Sequence, residues 1–303
     1  MLRVKADILS RAMAASVAIV GAGRVGRALG RRMRELGWIV GAVVARSDAS
    51  ARSAVRAIGG GCAHHHLTRH VLASDLALIT TPDDTLSMVA ENLARLGGTE
   101  WRGHTVLHTS GALDRGVLTP LARLGAFTGS LHPLQTFGSR GLPSLEGIMF
   151  AVEGDPRARR LAQSVARSFG GVPVAVASGS KPAYHAAGAF VAGHALALAE
   201  GATQILMSIG FTRRRAVKAL LPLMRQMLDN FERLGPRAAW TGPLSRGDYA
   251  TIEKHLAALR SFPREYADAY LANSRLAGRV LPGNPAQVLR RLQKAANSQE
   301  KKK

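Results

Sequence analysis

Residues 17–30 read VAIVGAGRVGRALG: an apolar run, then Gly21, Gly23 and Gly26 in the spacing G-x-G-x-x-G, then an amphipathic segment. The first glycine permits a tight turn off a strand. The second clears the place where a pyrophosphate must approach the backbone, and the third lets helix and strand pack closely. Val17–Val20 is strand-like, while Val25, Leu29, Met33 and Leu36 recur at helical spacing until Gly37. The free N–H groups and positive end of that helix would face phosphates. This stretch predicts a dinucleotide-binding turn made by Gly21, Gly23, Arg24, Val25 and Gly26.

The next strand, 38–44, ends in Ala45-Arg46-Ser47-Asp48. A site selective for NAD places an acid at this strand end, about 20 residues past the glycines, for the ribose 2′-hydroxyl. Arg46 stands there instead, with Ser47 beside it, and a guanidinium next to a hydroxyl suits a 2′-phosphate. NADP is therefore the expected cofactor ahead of NAD, the alternative being a solvated Arg46 with Asp48 on the ribose.

Further strand candidates carry the sheet onward. Leu76–Thr80 leads into Thr81-Pro82-Asp83-Asp84, a turn at the ligand-binding ends of the strands, where Asp83 or Asp84 can cap the following helix. Segments 105–108, 126–131, 147–152 and 172–177 follow, with Asp155-Pro156 as a helix start. From about residue 180 no strand candidates remain. Residues 181–209 read as one Ala-rich helix of about eight turns. Thr212 caps the next, which carries Pro222 and is expected to kink there.

The expected fold is α/β, a doubly wound, mostly parallel Rossmann domain followed by an all-helical domain. The divisions are an N-terminal extension (1–15), the nucleotide domain (16–178), a helical substrate and dimerisation domain (179–293) and a disordered basic tail (294–303).

Composition bounds the function. The chain of 303 residues is 47% hydrophobic, and no single apolar run is long and uninterrupted enough to span a bilayer. Cys62 is the only cysteine, which suits a reducing compartment, and the expected location is the cytoplasm, with an Arg-rich transit peptide as the lesser alternative. The formal charge of +21 comes from arginines scattered along helices (Arg24, Arg27, Arg31; Arg157, Arg159, Arg160) rather than gathered in one block. Aromatic residues are few, so a solvated basic surface is expected in place of a specific nucleic-acid site. His64-His65-His66 and His70 invite a metal reading, but neighbours in an extended segment point to opposite faces, and no metal is expected.

The motifs HTSGAL (108–113), LHPLQTF (131–137), KPAYHAAGAF (181–190) and TGPLSRGD (241–248) resemble an uncharacterised bacterial family, Rossmann-like with a domain of unknown function 2520. It is related to ketopantoate reductase, the β-hydroxyacid dehydrogenases and pyrroline carboxylate reductase. The resemblance implies a second domain like the C-terminal domain of 6-phosphogluconate dehydrogenase, and an NADP-dependent oxidoreductase of unassigned substrate. The β-hydroxyacid dehydrogenases have a catalytic lysine at the place of Lys181 and an asparagine four residues later, where this chain has His185.

Lys181 and His185, one helical turn apart, are thus expected to donate and tune a proton. His108 and His132, at strand ends, compete with them as catalytic groups. Ser110 and Gly111 could offer a hydroxyl and N–H groups to a substrate anion, and Arg246 could close over it. Tyr184 reads as a packing residue. The expected reaction moves hydride between nicotinamide and a small carbonyl or imine compound, with a non-catalytic NADP sensor as the alternative. The expected partners are a small-molecule substrate and a second copy of the chain, joined through a helical domain whose Ala186, Ala187, Gly188, Ala192 and Gly193 permit close packing; no membrane is expected.

Overall fold

In a computed structural model, residues 15–139 and 141–300 are described. The expected N-terminal extension, apart from Ala15, and the last residues of the basic tail lie outside them. The chain divides into one unit running to Ala192 and a second from Gly193.

The first unit is built on an eight-stranded sheet of order β3-β2-β1-β4-β5-β6-β7-β8. Its strands are β1 (Ser16–Val20), β2 (Ile39–Val44), β3 (Cys62–His64), β4 (Leu76–Ile79), β5 (Thr105–His108), β6 (Phe127–Pro133), β7 (Met149–Gly154) and β8 (Val172–Ala175). The first six in that order give the doubly wound arrangement of a Rossmann domain. Every pair is parallel except β6 with β7. β1 and β4 are nearly unbroken apolar runs because both sheet faces are covered: Val17, Ala18, Ile19, Leu76, Leu78 and Ile79 are fully enclosed or nearly so. Helices α1 (Arg24–Glu35), α2 (Asp48–Ile58), α3 (Asp83–Gly97) and α4 (Pro156–Ser168) complete the layers.

Local signals explain the joints. Asp155 caps α4 by accepting from Arg157 and Ala158 N–H, both at 3.0 Å, while its other oxygen accepts from Thr128 N–H at 2.6 Å. One carboxylate thereby fixes the helix start to β6. The expected cap of α3 is corrected. Pro82 is its N-cap residue and no side chain bonds the free N–H groups; Asp83 and Asp84 lie in the first turn, where their charge opposes the helix dipole.

Helix α5 (Lys181–Ala189) closes the first unit. The unit boundary thus falls inside the Ala-rich stretch, whereas composition placed it at 178/179. The physical reason is Lys181, whose ammonium is bonded to Ser110 and Ser130 of this same unit. A π-helical segment, Phe190–His194, follows, so residues 181–209 are not one regular α-helix.

The second unit is helical: α6 (Ala195–Ser208), α7 (Arg213–Ala239), α8 (Tyr249–Ala258), α9 (Arg264–Val280) and α10 (Pro285–Glu300). Thr212 caps α7 as expected, accepting from Arg215 N–H at 3.4 Å. α7 carries Pro222 inside it and is broken at Gly235 (φ 76°, ψ 171°), where the glycine takes up the non-helical backbone at low cost. α10 continues through the start of the expected tail, burying Ala295 and Ala296. The core of this unit is small: Ile252, Leu256 and Leu292, joined by Tyr249 and Tyr270.

One helical stretch, Lys181–Ser208, contains an 18-residue window with a mean hydropathy of 1.2 and is long and apolar enough by length and composition to cross a bilayer. Reading individual apolar runs misses it because scattered alanines supply much of that average. Glu200 within it is ion-paired with Arg213 at 2.7 Å.

Candidate functional site

The glycine turn is shaped by contact. Gly21 has φ +99°, and a Cβ there would lie 2.7 Å from the Thr81 backbone nitrogen. A Cβ at Gly26 would lie 2.7 Å from the Gly21 carbonyl oxygen, so α1 could not approach the turn. At Gly23 a Cβ would meet nothing within 4 Å, which leaves open space over the start of α1. No side chain caps that helix and no acid stands in its first turn. An uncapped helix N-terminus beside an open glycine suits a pyrophosphate. Arg24 reaches across to the Phe137 carbonyl at 3.3 Å, and Thr80 Oγ1 donates to the Gly21 carbonyl.

At the end of β2, Arg46 is exposed and has no ion pair among the described residues. Ser47 caps α2, its Oγ accepting from Ser50 N–H at 3.3 Å. Asp48, the alternative ribose ligand, faces His65 Nδ1 at 2.9 Å and Arg52 at 3.3 Å; the His65 hydrogen bond holds its carboxyl below the usual range. The exposed guanidinium is therefore the uncommitted group at this strand end. The neighbouring histidines do not converge: His64 stacks on His70 while His65 turns to Asp48. Among the described residues no cluster could hold a metal ion. On the other side of the turn, Thr81 carries a buried hydroxyl without a partner, while Pro82 and Asp83 are exposed.

A second group of polar side chains gathers where β5, β6 and α5 meet. Lys181 is 1% exposed. Its Nζ donates to the Ser110 carbonyl at 2.6 Å and to Ser130 Oγ at 3.0 Å. Burial pulls its pKa down to about 8, against the pull of Glu153, Asp83 and Asp114, which favour the ammonium. Glu153, buried on β7, accepts from Arg115 N–H at 2.8 Å, and burial raises its pKa. In this structure the Lys181 side chain thus points into the protein, where it anchors the 109–113 loop through the Ser110 carbonyl. Ser110 is likewise committed, its Oγ accepting from Ala112 and Leu113 N–H at 3.2 and 2.9 Å.

His108 is fully buried, and its Nδ1 accepts from Ser110 N–H at 3.2 Å. Burial and the Lys181 ammonium lower its pKa to about 3, so the ring is neutral. Its Nε2 has no hydrogen bond of normal geometry, although the Asp114 carbonyl is near enough to oppose the shift. His108 is therefore part of the support beneath the loop.

The accessible chemistry lies one layer out. His132 is neutral as well, its pKa lowered to about 4 by burial and then by His185 and Lys181. Its Nδ1 is 2.9 Å from Tyr184 Oη, and burial pushes the phenol up to about 12. A neutral imidazole and a protonated phenol at this distance share one hydrogen bond, and the tautomer in which the phenol donates to Nδ1 is the one that carries the imidazole proton on Nε2. That Nε2 points at Gly111, where a Cβ would come within 2.7 Å of it. His185 Nδ1 crowds the same position from the other side, and the two rings stand edge to face, 5.6 Å between centroids. His185 is exposed. Two imidazoles thus border the hydrogens of Gly111, at the carboxyl ends of β5 and β6.

Of the expected residues, the structure brings together His108, Ser110, Gly111, His132, Lys181 and His185. Arg246 belongs to the second unit. Sequence reading missed Ser130, Glu153 and the role of Tyr184. A signal existed for Glu153 (an acid inside the apolar strand 149–154) and for Tyr184, three residues after Lys181 in the same motif.

Comparison with known proteins agrees with this architecture. Residues 4–133 match the family model described as Rossmann-like domain, and residues 148–277 match that described as domain of unknown function (DUF2520). The two matches, in this order, are the domain pair of the family that the motifs resemble. No curated protein matches. Among solved structures, a "putative NADP oxidoreductase" from Bacteroides fragilis is 19% identical with a TM-score of 0.73, covering 88% of this chain and 98% of its own. An imine reductase from Pseudomonas sp. is 22% identical (TM-score 0.66, covering 92% and 99%). A reductive aminase from Aspergillus terreus, in complex with NADPH and ethyl levulinate, is 18% identical (TM-score 0.65, covering 91% and 99%). These likenesses establish the shared fold.

Proposed function

We propose that this protein is an NADP-dependent oxidoreductase that reduces a small carbonyl or imine compound. The observation that carries the reading is the convergence of His132 Nε2 and His185 Nδ1 over Gly111, in a unit whose glycine turn is open and uncapped. Gly21, Gly23, Arg24, Val25 and Gly26 would hold the pyrophosphate, and Arg46 the 2′-phosphate. When bound, the nicotinamide supplies hydride. The solved relatives whose names refer to NADP, NADPH or imine reduction support the same reading.

The chain's own residues handle the proton. A substrate oxygen or nitrogen bound on the outer side of the His132 and His185 pair would meet both imidazole rings, which stand edge to face with centroids 5.6 Å apart. With Tyr184 donating to Nδ1, 2.9 Å away, His132 would carry its proton on Nε2 and present it to the substrate. His185, accessible to solvent, replaces the proton after transfer. Lys181 is a positioning residue that keeps the Ser110–Gly111 backbone in place. This polar, partly neutral cluster supports an enzyme over a nucleotide sensor, for which an apolar pocket would serve.

A second copy of the chain is the proposed macromolecular partner. Along α7, Leu223, Met227, Leu228, Phe231 and Leu234 are all about half exposed or more, a row of apolar side chains that a single copy leaves uncovered.

The test is a screen of carbonyl and imine compounds that follows NADPH oxidation at its absorbance band. With a substrate in hand, His185→Ala and His132→Phe should each lower kcat about a hundredfold or more, while NADPH affinity stays unchanged. Full activity of both variants would reject the proton-transfer assignment.

A further inference from the structure

The motif TGPLSRGD contains an arginine and an aspartate separated by glycine, a pattern that could lock itself with an ion pair. It does not. Asp248 is used as the cap of α8, its two oxygens accepting from Thr251 N–H at 3.1 Å and Thr251 Oγ1 at 2.7 Å. The neighbouring cations Arg246 and Lys254 only add to the lowering of its pKa. Arg246 sits at the end of a single helical turn (Pro243–Arg246) flanked by Gly242 and Gly247, both at positive φ. It has no ion pair among the described residues.

The turn forms one wall of a cavity of about 450 Å³ made wholly by the second unit. Arg237 and Arg291 line it together with Arg246, and no carboxylate does. Arg291 lies over the Tyr249 ring, 4.7 Å from its centroid, which orients the guanidinium and leaves its edge for other partners. Trp240 and Leu244 give the same cavity an apolar side. Three cations around one concavity repel each other, by an amount that salt reduces but does not cancel at short range. Each guanidinium offers a planar fork that matches carboxylate or phosphate oxygens. The volume falls in the usual range for small-molecule sites.

We infer that this cavity is a binding site for a small organic anion, a carboxylate or phosphate on a planar or apolar body, with Arg237, Arg246 and Arg291 holding the charged groups and Trp240 and Leu244 the body. The inference needs only residues of the helical unit and stands apart from the hydride reading.

The experiment titrates the full chain calorimetrically with phthalate, inorganic phosphate and neutral benzamide. Phthalate should bind once per chain and more tightly than phosphate, and benzamide should not bind. Arg246→Ala and Arg291→Ala should each weaken phthalate at least tenfold, whereas the paired change Arg159→Ala and Arg160→Ala on α4 should leave it unchanged. Unfolding temperature provides a second readout. Phthalate should raise it in the unaltered chain and not in the Arg246→Ala variant, which by itself should unfold no earlier because a repulsion is relieved. Unchanged NADPH affinity in that variant separates this site from the glycine turn. Binding of several anions per chain, or equal loss on changing Arg159 and Arg160, would mean an adventitious ion only and overturn the proposal, as would failure of either anion to bind.

Discussion

The two units treat their polar and apolar groups in opposite ways. In the Rossmann unit a lysine and a histidine are buried, and the lysine finds two partners inside; the central strands β1, β4 and β5 are buried along nearly their whole length. In the helical unit the arginines of the TGPLSRGD cavity have no carboxylate opposite them, and α7 shows a row of large apolar side chains to the outside. Both segments obey the same packing rules, so the difference is one of completeness. The first unit answers its buried ammonium with partners of its own, and the second leaves guanidinium groups and a row of apolar side chains unanswered among the described residues.

The strongest way to break this contrast is to make the exposed row of α7 polar. Replacing Leu228 and Phe231 together with Asp should weaken self-association at least a hundredfold, read by sedimentation across a concentration series. The Rossmann unit's own fold, followed through NADPH binding, should persist. Retention of the oligomer, or a chain that is monomeric from the start, would mean that the row is ordinary surface.

A smaller effect sharpens the other side of the contrast. Arg46 is the exposed cation at the end of β2 with no ion pair among the described residues, so Arg46→Ala should reduce the preference for NADPH over NADH about ten- to a hundredfold. This is the contribution of one or more charge-assisted hydrogen bonds, about 1.5–3 kcal/mol. Parallel titrations of both cofactors decide it, and equal affinities in the unaltered protein would remove Arg46 from the site.

The subtlest test concerns the cost of enclosing Lys181. Its folded pKa of about 8 lies below the ordinary lysine value of 10.5. Between those values the unfolded chain holds a proton that the folded chain has released, so stability rises with pH across that window. Below pH 8 the folded state carries the full cost of a buried ammonium. Lys181→Met should flatten this rise, while costing about 1–3 kcal/mol elsewhere because the Ser110 carbonyl loses its donor. Denaturant unfolding at pH 7.5 and 10 in both proteins measures it, and identical slopes would show that Lys181 does not titrate there. Glu153 acts in the opposite sense and in the carboxylate range, since burial raises its pKa.

What could be read from the chain alone follows the range of the interactions involved. The glycine turn, the Asp155 and Thr212 caps and the apolar strands are local, and each was legible. β3 was not, because Cys62–His64 is three residues long and has no apolar run; only its register against Ala42–Val44 makes it a strand. The break in α7 at Gly235 was not read, because proline drew attention to a missing donor, whereas this break uses the positive φ that glycine supplies. Lys181 was the hardest. Its motif names it, but its orientation depends on Ser110 and Ser130, 71 and 51 residues earlier. A long side chain can equally reach out or in, and local spacing says nothing of which. The same holds for Gly111, whose neighbours His132 and His185 are brought in by β6 and α5.

The reversal between β6 and β7 has a topological consequence. Two parallel strands need a long crossover between them, but an antiparallel pair can be joined by a tight hairpin. Here the chain uses residues 134–148 for that connection, far more than the geometry of the pair requires. The surplus goes to the approach to the glycine turn: Phe137 receives Arg24, and residues 137–139 and 141–143 wall a cavity of about 420 Å³ with Gly23, Arg24 and Arg27. Length in this loop can therefore vary without disturbing strand register, and evolution could reshape the approach to the turn by insertion or deletion there while the sheet remains as it is.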